Sequence, residues 1–306
     1  MSILHPSSNI ASEVNLNLEA FLKDFSIEVM PRTAAKIENF CDILPQQTLI
    51  YIAHIEGTPI KEMVDTAKRL IEEGFDVMPH FPARIIKNHA TLVDWIKRYQ
   101  NEAGVKQALL LAGGVDKPYG EYQCSMDLLE TGEFDKAGFT NLHVAGHPEG
   151  NIDIDKDGST SNVDAAISLK QTFSKRTDAK MAMTTQFCFE SGPVIEWADR
   201  MTSRGIDIPI HIGVAGPAKL QTMIKFSMAC GVGASLRVLK RRAKDVTKLL
   251  LPFKPNKILT ELAEHKAKNP DFLITNVHFF PLGGIKTNAN WTMENGGKSA
   301  IPAKQS

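Results

Sequence analysis

Short apolar runs recur along the chain, and their composition favours strands. They lie at 25–31 (FSIEVMP), 48–55 (TLIYIAHI), 76–82 (DVMPHFP), 107–114 (QALLLAGG), 141–150 (NLHVAGHPEG), 181–189 (MAMTTQFCF), 208–216 (IPIHIGVAG) and 272–280 (FLITNVHFF). Most intervals between them carry helical periodicity. In 58–74 the apolar positions Ile60, Met63, Ala67 and Leu70 recur at spacings of three and four. Thr58 is placed to cap that helix, Pro59 suits its first position and Gly74 its end. Residues 193–205 again end in glycine, and 217–230 and 257–268 also read as helices.

Eight strands with helices between them predict an α/β fold, a single (β/α)8 TIM barrel. A doubly wound sheet would place a glycine-rich phosphate loop after an early strand. EVMPRT stands there instead, and no GxGxxG occurs. The expected organisation is an N-terminal extension or helix at 1–20, a catalytic barrel over 21–291 and a flexible tail over 292–306. Residues 151–162 read as a long polar loop.

The 306 residues include 35 basic and 35 acidic side chains, a net charge of zero. That balance gives no global field for nucleic acid or membrane. No run of 18 apolar residues occurs, and the first twenty residues lack both a basic start and a long apolar stretch. Cys41, Cys124, Cys188 and Cys230 form no CxxC pair, so free thiols are expected. The chain is therefore expected to be cytoplasmic.

A barrel keeps its chemistry at the C-terminal ends of its strands. The polar residues there are Glu28, His54, His80, Asp116, His147, Glu149, Gln186, His211 and His278. Glu28 stands in an otherwise apolar strand, where burial favours the protonated form and makes an acid, unless it pairs with Arg32. Gln186 can donate and accept at the edge of a pterin or flavin ring, or pair with backbone. Phe187 and Phe189 alternate with it and are expected on the other face. His80, His147 and Glu149 match metal-ligand types without metal-site spacing, so no metal is expected. Asp153, Asp155, Asp157 and Gly158 resemble part of a calcium loop, but Asp164 stands where the loop needs glutamate, which favours a solvated turn. The basic run Arg237, Lys240, Arg241, Arg242, Lys244 and Lys248 reads as an outer helix face rather than an anion site.

Taken in order, FSIEVMPRT, PHFPAR, HPEG, TTQFCFE, RGIDIPIHIGV and the late HFF resemble the catalytic barrel of the methylenetetrahydrofolate reductase family over roughly residues 20–285. The resemblance implies a (β/α)8 fold that binds FAD without a Rossmann domain. It implies an NAD(P)-linked oxidoreductase that interconverts 5,10-methylenetetrahydrofolate and 5-methyltetrahydrofolate, with NADH or NADPH as co-substrate. Glu28 then matches the acid that opens the five-membered ring. Gln186 matches the pterin contact, and Phe226 the ring that stacks on substrate or nicotinamide. His80 falls near the flavin, and His147 replaces an FAD-contacting tyrosine. Either Lys170 or Lys175 matches a cofactor-binding lysine.

The family's LRGD reads LAGG here, with Ala112 for the arginine, Gly113 kept, and Gly114 for the aspartate; Asp116 lies two residues on. Phe280 replaces a tyrosine on the substrate side, and Gly283 an asparagine. These departures leave open net oxidation of 5-methyltetrahydrofolate, a flavin-independent relative and a non-catalytic pterin or flavin carrier. A metal-dependent barrel lyase is a further alternative. The expected partner is a tetrahydrofolate derivative, without nucleic acid or membrane, and homo-oligomerisation is left open.

Overall fold

The computed structural model describes residues 6–229 and 252–297. Eight parallel strands close a barrel in chain order: Ser26–Val29 (β1), Leu49–Ile52 (β2), Asp76–Pro82 (β3), Gln107–Leu111 (β4), Asn141–Gly146 (β5), Lys180–Cys188 (β6), Ile210–Ala215 (β7) and Ile274–Phe280 (β8). β8 pairs back onto β1, with Ser26 opposite His278. The expected TIM barrel is the observed fold.

Successive side chains on a strand alternate between the two faces of the wall. Ile27, Val29, Ile50, Ile52, Val77, Phe81, Leu142 and Val144 belong to a continuous apolar layer between strands and helices. Tyr51, Met78 and Leu109 form a separate small cluster inside. The rest of the interior is unusually polar for a barrel, whose centre is mostly filled by branched apolar side chains.

The outer helices follow the sequence periodicity with shifted ends. The helix expected over 58–74 runs Ile60–Glu72, with Pro59 at its N-cap and no side-chain cap. Thr58 does not cap it; its carbonyl meets His54 Nε2 at 2.9 Å. In the segment expected to be a solvated turn, Asp155 is buried. Its carboxylate accepts the backbone N–H groups of Asn162 (2.9 Å) and Val163 (3.0 Å), capping the helix Ser161–Ser174. Such caps satisfy amides that have no intrahelical partner.

At the chain ends, the helix Pro6–Leu22 buries Leu18, Phe21 and Leu22 in the outer core. The last described helix, Ile285–Glu294, crosses the expected start of a tail at 292. Gly297 then donates its N–H to the Thr292 carbonyl at 2.8 Å. Cys230, the basic run 237–248 and residues 298–306 lie outside the described residues. Among the described residues no helix is long and apolar enough to cross a membrane, and Cys41, Cys124 and Cys188 are free.

Candidate active site

β1 turns Ile27 and Val29 outward, so Ser26 and Glu28 face the interior. Inside the barrel Glu28 Oε2 lies 3.3 Å from His80 Nε2 and 3.7 Å from His278 Nε2. These residues come from β1, β3 and β8. Burial raises the Glu28 carboxyl above its ordinary pKa, partly offset by His80. Burial also lowers His80 to about 4 and His278 to about 3. Both imidazoles are thus neutral at pH 7, and no ion pair holds the group together. Glu28 remains 20% exposed along its side chain while His278 is sealed. The arrangement is a carboxyl group of raised pKa between two neutral imidazoles, with access to the barrel mouth.

A second group crosses the interior. The Tyr51 hydroxyl lies 2.6 Å from His143 Nδ1 and 3.2 Å from Thr184 Oγ1. His143 packs edge-on against His211 with centroids 4.7 Å apart, and Tyr51 lies 4.3 Å from the His278 ring. Burial drives His143 well below the usual imidazole range, brings His211 to about 4 and pushes the Tyr51 hydroxyl up.

Sequence reasoning named His211 and His278 but missed Ser26, Tyr51, His143 and Thr184. For Ser26, Tyr51 and His143 the signal was parity: each is polar, or carries a polar tip, at an inward position flanked by outward apolar residues; Thr184, followed by Thr185, carries no such signal.

A bulge in β6 decides the fate of Gln186. Thr184 pairs with His211, but Phe187 pairs with Gly213, so three residues of β6 span two of β7. Gly213 makes room: a Cβ there would lie 2.3 Å from the Thr185 carbonyl oxygen and 2.6 Å from that of Gln186. Gln186 Oε1 accepts the backbone N–H of Phe187 at 3.1 Å, which is the backbone pairing among its alternatives.

The extra residue also reverses the expected parity of Phe187 and Phe189. They share the face of Ala215 and pack with Ala218, Leu220 and Met223. Phe187 meets Phe280 edge-on at 5.4 Å, and Phe280 meets His278 at 4.9 Å. An aromatic wall therefore stands beside the acid.

The remaining expected residues divide. Lys170 is buried, donates to the Ala145 carbonyl at 2.7 Å and has a pKa lowered to about 8 by burial. It adds to the burial that lowers neighbouring His147 to about 4. Lys175 is no partner in this group: it is exposed and pairs with Asp207 at 2.5 Å, ahead of β7 at the opposite end of the barrel. Asp116 is exposed on the loop after β4. Arg84 ties that loop down by donating to the carbonyls of Val115 (3.2 Å) and Gln123 (3.1 Å). The Ala112 carbonyl accepts from Arg84 N at 2.9 Å. Gly113 has φ +94°, and a Cβ there would sit 3.0 Å from Pro82 Cβ, a left-handed conformation that suits glycine. His54 packs on Trp95 with centroids 4.8 Å apart. Phe226 is 37% exposed on the helix Leu220–Ala229.

These placements bear on a cofactor. A diphosphate needs cationic or N–H donors. Ala112 offers no side-chain donor, Lys175 is remote, the Lys170 amine is sealed against a carbonyl, and Arg84 is engaged by its loop. Among the described residues, those that the resemblance assigns to FAD do not fit it. No set of three or more His, Cys, Asp or Glu residues among the described residues is arranged to hold a metal.

Fold and site together define a (β/α)8 barrel with an acid–imidazole group at its mouth. No family model matches the chain. Among solved structures it is similar to an uncharacterized protein from Clostridium thermocellum that binds two copies of 5-methyl-5,6,7,8-tetrahydrofolic acid. That match has a TM-score of 0.55 and 11% identity, and covers 94% of this chain and 97% of that one. The mannohexaose complex of a Thermomonospora fusca β-mannanase gives a TM-score of 0.42 at 9% identity, covering 89% and 84%. At 11% identity the first likeness speaks for the fold alone, and the second carries no argument. That fold is the one that the resemblance to methylenetetrahydrofolate reductases implies.

Proposed function

We propose that the barrel mouth binds a tetrahydrofolate derivative and that Glu28 transfers a proton to or from it. The observation that carries this reading is Glu28 Oε2 between His80 and His278, at 3.3 and 3.7 Å, beside the phenylalanine wall. A reduced pterin is flat and rich in N–H groups, and it suits a site with an apolar wall and one acid. Support comes also from the Clostridium thermocellum barrel, which binds 5-methyltetrahydrofolic acid.

The finer reading is interconversion of 5,10-methylene- and 5-methyltetrahydrofolate with NAD(P)H. In the reducing direction the bond from the methylene carbon to N10 breaks, and its electron pair stays on N10. Glu28 supplies the proton that N10 takes up. The iminium carbon then receives a hydride, and the reduced nicotinamide is oxidised. Protein groups here hold the pterin, limit water and move the proton.

A second version, direct hydride transfer from nicotinamide without a resident flavin, is favoured by Ala112 and Gly114 where the family has arginine and aspartate.

Calorimetric titration of the purified protein with 5-methyltetrahydrofolate tests the binding step. Saturable binding is expected; no heat and no thermal shift would reject the reading. Flavin assayed in the supernatant of denatured protein separates the two versions. Stoichiometric FAD would restore the flavin route, and flavin-free protein that oxidises NAD(P)H with methylenetetrahydrofolate would support direct transfer.

A further inference from the structure

A cavity of about 630 Å³ lies on the shoulder of the barrel, where the loops that leave β7 and β8 meet. The two loops touch closely. A Cβ at Gly283 would lie 2.0 Å from the Pro217 carbonyl oxygen and 3.0 Å from Ala218 Cα, so no side chain fits there. Ala218 and Phe253 exchange backbone hydrogen bonds at 3.2 and 2.9 Å in an antiparallel bridge. That bridge brings Lys219 and Lys254, one residue further along each piece of chain, to the same cavity. Both lysines are exposed, and among the described residues neither pairs with a carboxylate.

Two helices also start at this cavity. Leu220–Ala229 makes its first bond from Met223 N to the Lys219 carbonyl at 3.1 Å. Ile285–Glu294 makes its first from Asn288 N to the Gly284 carbonyl at 3.1 Å, and no side chain caps it. The N–H groups ahead of each first bond have no intrahelical acceptor, and each helix start carries roughly half a positive charge. The third residue of each helix is a threonine, and both Thr222 and Thr287 line the cavity. Asn290 and Glu294 continue the face of Thr287 at helical spacing. Glu294 stands seven residues on, about 10 Å along the axis, which is about a Debye length at physiological salt.

The charge balance selects the ligand. Two ammonium groups and two helix starts amount to roughly three positive charges. A carboxylate answers with one negative charge, whereas a phosphate monoester carries about −1.5 to −2. Loops after the seventh and eighth strands are a frequent phosphate site in barrels of this kind. At the far end Asn290 and Glu294 offer acceptors for N–H groups.

We propose that this cavity binds a nucleotide, with its phosphate at Lys219, Lys254 and the two threonine turns and the N–H groups of its base toward Asn290 and Glu294. The phosphate belongs either to the nicotinamide co-substrate or to a separate nucleotide, since both present the same group. The site does not rest on the folate reading.

Calorimetric titration with AMP tests it. Saturable binding is expected, displaced by inorganic phosphate, with adenosine at least about tenfold weaker. Lys219→Gln combined with Lys254→Gln should weaken AMP about tenfold, because each exposed charge contributes a few-fold, and should leave the melting temperature unchanged. Thr287→Glu places a carboxylate in the site. It should abolish AMP binding yet hold or raise the melting temperature, because an acid in the first helical turn is favourable. If AMP displaces NADH and NADH weakens in the same variants, the phosphate is that of the co-substrate. Unchanged NADH binding assigns the site to a separate nucleotide.

Equal affinity for AMP and adenosine overturns the proposal, as does AMP binding that Thr287→Glu leaves untouched. So does the lack of any binding at about 10 mM AMP. Competition by 5-methyltetrahydrofolate as strong as that by inorganic phosphate would give the cavity to the folate carboxylates and overturn it too. A protein that binds AMP here and ignores 5-methyltetrahydrofolate keeps this site and rejects the folate reading.

Discussion

The barrel interior holds two histidine groups that differ in what their hydrogen bonds are committed to. In the first, His80 and His278 face a partly exposed carboxyl at 3.3 and 3.7 Å, with both Nε2 atoms unpartnered. In the second, Tyr51 meets His143 Nδ1 at 2.6 Å and Thr184 Oγ1 at 3.2 Å, and all three residues are buried. Tyr51, His143 and Thr184 satisfy one another and are sealed, so they contribute to stability, although His211 Nδ1 beside them has no partner among the described residues. The first is unsatisfied and open, so it has capacity for a reaction. Residue type does not distinguish them. Access to the mouth and the unmade bonds do.

The sharpest way to break this contrast is Glu28→Gln. The substitution keeps the shape and removes the transferable proton. Turnover of methylenetetrahydrofolate should fall by about 10²–10⁴-fold, the usual scale of general acid catalysis. Affinity for 5-methyltetrahydrofolate, read by calorimetry, should change little. Turnover within about threefold of wild type would remove Glu28 from the chemistry.

Next in size is the response to acid. His80, His143, His147, His211 and His278 are all held below the ordinary imidazole pKa. As pH falls below about 6.5, the unfolded chain takes up protons that the folded chain refuses. Each imidazole then withdraws up to about 1.4 kcal/mol of stability per pH unit until its folded pKa is reached. Glu28 opposes this between its unfolded and its raised folded pKa, where the folded state binds the extra proton. The urea midpoint should drop steeply from pH 7 to pH 5. A flat profile would contradict the neutral, buried histidines.

Tyr51→Phe probes the sealed group. It removes the hydroxyl shared by His143 and Thr184 and should cost about 1–3 kcal/mol in urea unfolding. Folate affinity should stay within about twofold, because the Tyr51 hydroxyl is buried and committed to His143 and Thr184. A large loss of affinity without loss of stability would place Tyr51 in the site instead.

The smallest effect is expected at Lys175. Its exposed pairing with Asp207 is worth about 0.5 kcal/mol or less, so Lys175→Ala should alter neither melting nor ligand binding. Lys170→Ala, by contrast, removes a buried side chain and its bond to the Ala145 carbonyl, and should lower the melting temperature measurably. Equal behaviour of the two variants would refute the assignment of Lys170 to the mouth side and Lys175 to the far end.

Much of this architecture was legible in the residue order. Eight strand-like runs separated by amphipathic stretches predict the barrel, because burial against an outer helical layer imposes both periodicities. The strand-end rule then drew attention to Glu28, His80, His211 and His278. His143 escaped notice because it lies in the middle of its strand, and Tyr51, although in register with Glu28, because its ring passes for an apolar core residue. Asp155 read as a solvated turn because a cap reaching seven and eight residues ahead has no local signature. The inward turn of Phe187 and Phe189 was hidden because one bulge residue resets the parity of everything after it.

Local order by itself determined which segments became strands and helices, since periodicity and end signals are properties of neighbours in the chain. It also determined that a carboxyl group would stand in an apolar strand. Which partners that carboxyl meets was decided only when β8 closed on β1 and brought His278, 250 positions downstream, into register two residues from Glu28. Closure likewise sorted Lys170 from Lys175, which sequence leaves equivalent five residues apart. Contacts across a closed barrel depend on register and shear around the whole wall, and no local pattern encodes them.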